Sequence, residues 1–174
     1  MRRTKKITLS AMTVALGTLF MVLGGFVEVL DLSACAIASV LVAFIYIEIG
    51  SPYTWLVWLC TSLTSFICFP GSVLWLEYLI VFGIYPILKA YIERCRRVFW
   101  LPLKLIYANV VLWIAIFAFE FLFKTPFFIT DKLWLKVGLY ALLNVAFLAY
   151  DIFITVLVRF YLDRLRPRLK HLLK

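Results

Sequence analysis

KAYIERCRRVFWLPLK, residues 89–104, is a basic break between two long apolar runs, and its reading decides the fold. Lys89, Arg94, Arg96, Arg97 and Lys104 are costly in hydrocarbon, while the runs on either side are costly in water. The same chemistry recurs at both ends of the chain. Arg2, Arg3, Lys5 and Lys6 open it, and Arg159, Arg164, Arg166, Arg168, Lys170 and Lys174 close it. Of the 18 Lys and Arg residues only Lys124, Lys132 and Lys136 fall elsewhere. Cytoplasmic loops hold excess Lys and Arg because positive segments resist translocation. The pattern therefore predicts an even number of crossings of a plasma membrane, with both termini in the cytoplasm.

Composition leads to the same place. Of 174 residues, 66% are hydrophobic and 18% aromatic, and the mean hydropathy is +1.04. A soluble domain of this size has too much surface per volume to hide so much apolar side chain. The lipid bilayer is the expected solvent. A net charge of +9 raises nucleic acid as a partner, but the basic residues cap apolar runs instead of lining one soluble face, which argues against it. Anionic lipid headgroups or an acidic partner fit better. Cys35, Cys60, Cys68 and Cys95 show neither metal-ligand spacing nor a paired framework, and His171 is the one histidine. No metal and no cofactor are expected. Leu32-Ser33-Ala34-Cys35 resembles a lipoprotein cleavage box, but the apolar run from Ile7 exceeds a signal core, and Glu28 and Asp31 interrupt the approach to the cysteine. A retained first span is the reading.

About 20 helical residues cross ~30 Å of hydrocarbon. Six segments meet or approach this: 7–27, 34–50, 53–69, 73–92, 100–122 and 137–158. Backbone polar groups cannot stay open in lipid, so each is helical, and the unbroken apolar runs do not suit a barrel. The fold class expected is an all-α integral membrane protein, a six-helix bundle spanning residues 1–158. Residues 159–174 alternate basic and apolar residues, as in a helix lying along the inner face. Trp55, Trp58, Trp75, Trp100 and Trp134 fall near span ends, and Thr125–Leu135 suits an interfacial outer loop.

Ionisable residues inside spans cost about 2.5–3.5 kcal/mol each at the bilayer centre, so they divide usefully by depth. Toward the outside fall Glu77, Glu120 and Asn144, with Ser65, Trp75, Tyr78 and Tyr140 at the same level. Carboxylates with aromatic faces would suit a cationic or donor-rich small molecule. Glu28 and Asp31 sit where a lid could fold over such a site. Toward the inside fall Glu48, Lys89, Asp151 and Asn109; a Lys89–Asp151 or Lys89–Glu48 pair would neutralise the buried charges. Pro86 predicts a bend in the fourth span.

In the first span, Ala11-Met12-Thr13-Val14-Ala15 puts two small residues one turn apart, where another helix can approach closely. With six short spans and a basic N-terminus, this resembles the substrate-binding S component of an energy-coupling-factor (ECF) transporter. The resemblance covers the chain in architecture and Ala11 and Ala15 as a motif. It implies micronutrient or vitamin-like capture from outside, and docking through Ala11 and Ala15 onto a transmembrane T component driven by two ATPase subunits. No enzymatic motif or P-loop is present, so energy would come from those partners and the chain itself is not an enzyme. The alternatives are a membrane scaffold or assembly factor resembling the rod-shape MreD family, and a secondary carrier. A carrier would be expected to show paired inverted repeats, which are not evident here.

Overall fold

The computed structural model describes residues 3–27, 30–124 and 132–166, and among them every regular element is a helix. Six long helices follow in order: α1 (Arg3–Phe26), α2 (Asp31–Glu48), α3 (Ser51–Cys68), α4 (Leu74–Ile92), α5 (Trp100–Phe123) and α6 (Leu133–Phe160). All but α3 are long and apolar enough to cross a membrane. Lys6, Arg94, Lys104 and Arg166 meet at one end of the bundle, hereafter the basic end, whereas Lys124, Lys132 and Lys136 flank the opposite, α5–α6 connection. There Lys6 lies over the Tyr53 ring, and Arg94 donates to the Tyr46 hydroxyl at 3.0 Å. At the far end Phe26 packs edge-on against Phe69.

Helix boundaries differ from the sequence-derived ones by a few residues, for local reasons. α2 starts at Asp31, inside the expected break, because a carboxylate in the first turn favours the positive end of the helix dipole. α3 opens on Ser51-Pro52, where proline's missing N–H costs nothing, and Gly50 before it has φ 100°, a glycine conformation. α6 begins at Leu133 and runs on through a π-helical turn, Tyr161–Leu165, so the basic tail starts as a continuation of the helix. The remainder of that tail with His171, the loop 125–131 and Glu28 of the first expected lid lie outside the described residues.

The interior mixes apolar and polar side chains, and the exterior is far more apolar than that of a water-soluble domain. Buried positions include Thr13, Ser39, Thr54, Thr61, Ser62, Ser65, Lys89 and Lys104. Exposed positions include Met12, Leu16, Leu19 and Leu23 on α1, Trp113, Phe117 and Phe121 on α5, and Leu142, Val145, Ile152 and Val156 on α6. In water such apolar stripes would drive association.

Small residues bring the helices together. A Cβ on Gly17 would lie 3.1 Å from the Thr61 methyl, and one on Gly24 would lie 2.5 Å from the Ala34 Cβ. Gly17 thus seats α3 and Gly24 seats α2 against α1. Several hydroxyls on α3 bond back to carbonyls four residues earlier or across to α1: Thr54 donates to Gly50 O at 2.9 Å and Ser62 to Trp58 O at 2.9 Å, while Thr18 and Thr64 oxygens lie 2.6 Å apart across the α1–α3 contact. These hydroxyls lower the apolarity of α3 yet mostly point inward.

Near Pro86, where a bend is expected, α-helical regularity is interrupted: a π-helical turn, Tyr78–Phe82, is followed by a fresh α-helical start at Tyr85 with Pro86 in its first turn. Proline has no N–H to donate to the carbonyl four residues back, Phe82 O. That carbonyl instead accepts the Tyr150 hydroxyl at 3.0 Å. Neighbouring carbonyls are met in the same way, Leu79 O by Trp58 Nε1 at 3.3 Å and Val81 O by Tyr107 at 3.5 Å. Three aromatic donors from α3, α5 and α6 therefore hold the irregular backbone of α4.

Candidate functional site

The distorted α4 walls a cavity of about 600 Å³ that it shares with α2, α5 and α6. On α5 the lining residues are Leu112, Ala115, Ile116 and Phe119, spaced along one helical face. Across it stand Ala146, Ala149 and Phe153 of α6, Leu76 and Glu77 of α4, and Val73 just before α4. Phe82, Phe147 and Tyr150 also line it; the last two belong to a buried cluster with Tyr85, Ala108 and Ile154. Of all lining side chains only Ser33, Glu77 and Tyr150 carry polar atoms. The Tyr150 hydroxyl is already committed, to Ser39 Oγ at 2.7 Å and to Phe82 O.

Of the seven residues expected to form an outward site, the cavity takes Glu77 alone. Ser65 and Trp75 line a separate crevice of about 10 Å³, the size of one water molecule, where Ser65 Oγ and Trp75 Nε1 have no protein hydrogen-bond partner. Tyr78 is fully buried beside Thr61. Tyr140 donates to Asn109 Oδ1 at 2.6 Å, and Asn144 donates to Tyr140 O at 3.1 Å, so these three form an α5–α6 bridge. Glu120 is on an exposed face of α5. Asp31, at the start of α2, interacts electrostatically with Glu77.

The second constellation lies toward the basic end. Lys89 donates to Asp151 Oδ1, to Asp151 O at 2.7 Å and to Thr155 Oγ1 at 2.6 Å. Lys104 donates to both Asp151 oxygens, at 3.0 and 2.9 Å, and to Glu93 Oε1 at 3.2 Å. Tyr85 donates to Asp151 Oδ1 at 2.5 Å. Two lysines thus face two carboxylates, formally neutral as a group, with α4, α5 and α6 each contributing. Lys89 pairs with Asp151 and not with Glu48, because Glu48 lies at the very end of α2, where it meets Arg166 Nε and the Tyr161 hydroxyl, each at 3.0 Å. Asn109 is likewise outside the cluster, further along α5.

The sequence places Tyr85 near these charges, but it does not single out Glu93, Lys104 or Thr155 for this network. Lys104 was read as a flank of the basic break, but Glu93 at Lys89 plus four, and Thr155 at Asp151 plus four, were legible as same-face partners. The two constellations touch: Tyr85 packs edge-on against Phe147 with ring centroids 4.8 Å apart, and Phe147 lines the cavity.

On α1 the buried residues are Thr13, Gly17, Met21 and Gly24, while Ala11 and Ala15 are exposed. Their small-residue face is unused within the bundle. Among the described residues no three His, Cys, Asp or Glu side chains converge to hold a metal ion. Comparison with known proteins finds no matching family model, no matching curated protein and no matching solved structure.

Proposed function

We propose that the chain is a six-span plasma-membrane protein, with both termini in the cytoplasm, that captures a small molecule in the α2–α4–α5–α6 cavity. In this reading it hands the molecule on as the substrate-binding subunit of an ECF-like transporter. The observation that carries it is the cavity itself: about 600 Å³, within the range of small-molecule sites. The apolar exterior supports lipid as the solvent. α3 has the same 18 residues as α2, or about 27 Å of helix, and lies alongside α1, which supports a sixth crossing despite its hydroxyls. The outward face of Ala11 and Ala15 supports docking of a transmembrane partner, because small residues on an exposed helix face offer close approach. The four-charge cluster would then tie the three cavity helices α4, α5 and α6 together at the cytoplasmic side, where ATPase-driven motion arrives. No catalytic step is assigned to the chain.

The test is affinity purification from native membranes, with mass spectrometry of proteins and bound metabolites. A co-purifying small molecule together with a T component and ATPases supports the reading. Recovery of cell-wall or division proteins with no small molecule, in repeated preparations, replaces it with the scaffold alternative.

A further inference from the structure

The chemistry of the cavity narrows what it could hold. A polar, donor-rich molecule would leave its groups facing leucine, isoleucine, alanine and phenylalanine, at about 1–3 kcal/mol for each unpaired group. A purely apolar molecule fares no better, because lipid tails are as apolar as these walls and nothing is gained by leaving them. Discrimination has to come from the polar lining that Tyr150 leaves available, Ser33 and Glu77, with the Asp31 carboxylate adding negative potential beside Glu77.

The position of the mouth follows from exposure. Lining residues on α4 and α5 are buried or half-buried, whereas Leu32 (57%) and Ile37 (39%) on α2 and Phe153 (41%) on α6 are exposed, as are Ala146 and Ala149. The opening therefore lies along the flank of the bundle between α2 and α6, instead of only at its far end. In a membrane that flank faces acyl chains.

We propose that the site takes an amphiphile with an apolar body and a single cationic head, which reaches the cavity sideways from the bilayer between α2 and α6 and is selected by the Glu77 carboxylate. This rests on the membrane reading above, and it replaces the polar, vitamin-like ligand expected from the resemblance with a lipid-soluble amine. A charge-assisted hydrogen bond between an ammonium and a carboxylate supplies the head-group preference.

The probe is a dodecylamine carrying a diazirine in its chain, photolysed with the full-length protein in phosphatidylcholine nanodiscs and mapped by mass spectrometry. Labels are expected on cavity residues of α2 and α6. Unlabelled dodecylamine should protect at least tenfold better than dodecanol or dodecanoate at equal membrane mole fraction. Glu77→Gln should abolish that preference while labelling persists. Ala149→Phe, at an exposed mouth position that leaves the core untouched, should remove cavity labelling, and it keeps the test decisive if Glu77→Gln does not fold. Equal protection by all three amphiphiles, or labels confined to outward faces such as Trp113 and Phe117, would overturn the proposal. Neither result would touch the six-span reading, which a topology measurement decides separately.

Discussion

Replacing Asp151 by Asn should be the most damaging single change in the charge cluster. Its carboxylate accepts from Lys89, Lys104 and Tyr85, and its side chain is 14% exposed. The change leaves two buried ammonium groups with one carboxylate, Glu93, that is 33% exposed and 3.2 Å or more from either. Removing one partner of a buried ion pair costs about 3–5 kcal/mol, because the stranded charge keeps its desolvation penalty. Lys89→Met should cost less, about 1–3 kcal/mol, since Asp151 keeps Lys104 and Tyr85. In the double variant one lysine again faces one carboxylate, so the combined loss should fall short of the sum by at least about 1 kcal/mol. At about 2–4 °C per kcal/mol for a chain of this size, Asp151→Asn should lower Tm by roughly 6–20 °C, read by tryptophan fluorescence in one detergent. If Asp151→Asn melts within about 2 °C of the parent, or if the losses simply add, the three groups do not act as a unit and the network has been misread. Transport that stays normal in every folded variant would restrict the network to a structural role.

Gly24→Val should destabilise by more than about 2 kcal/mol, because even a Cβ there lies 2.5 Å from Ala34, and the monomer melt reports it. Ala15→Val, on the exposed side of the same helix, should leave that melt within about 0.5 kcal/mol and should weaken co-purification of a membrane partner instead. A Cβ on Gly83 would fall 2.4 Å from Trp58 Cδ1, so Gly83→Ala should displace the indole that meets Leu79 O, lowering stability by about 1–3 kcal/mol and shifting tryptophan emission.

Much of the architecture is written in the charges. The basic break at 89–104 separates two helices, short breaks such as Gly50-Ser51-Pro52 separate others, and the basic chain ends fall with that break at one end of the bundle. The partner of Lys89 could be narrowed to Asp151 or Glu48, because a buried charge needs a partner near its own depth; the structure chooses Asp151. The cavity was not legible, for a physical reason. Inside a membrane bundle, the residues that face a gap and those that face lipid are chosen by the same chemistry, so Leu112, Ala115, Ile116 and Phe119 cannot be told from their outward neighbours by periodicity. The same ambiguity applies to α1, where Ala11 and Ala15 lie outside and Gly17 and Gly24 inside, though both are small-residue pairs. The π-helical turn before Pro86 depends on donors from three other helices, which local sequence does not encode.

Two native cysteines provide a direct test of the threading through lipid. Cys68 closes α3 at the far end of the bundle, Cys95 lies in the basic break, and both are exposed. In variants that retain only one of them, a membrane-impermeant maleimide applied to intact cells should label Cys68 and should reach Cys95 only after permeabilisation. Labelling of both from the same side, or of Cys95 alone from outside, would contradict six crossings with a cytoplasmic basic end.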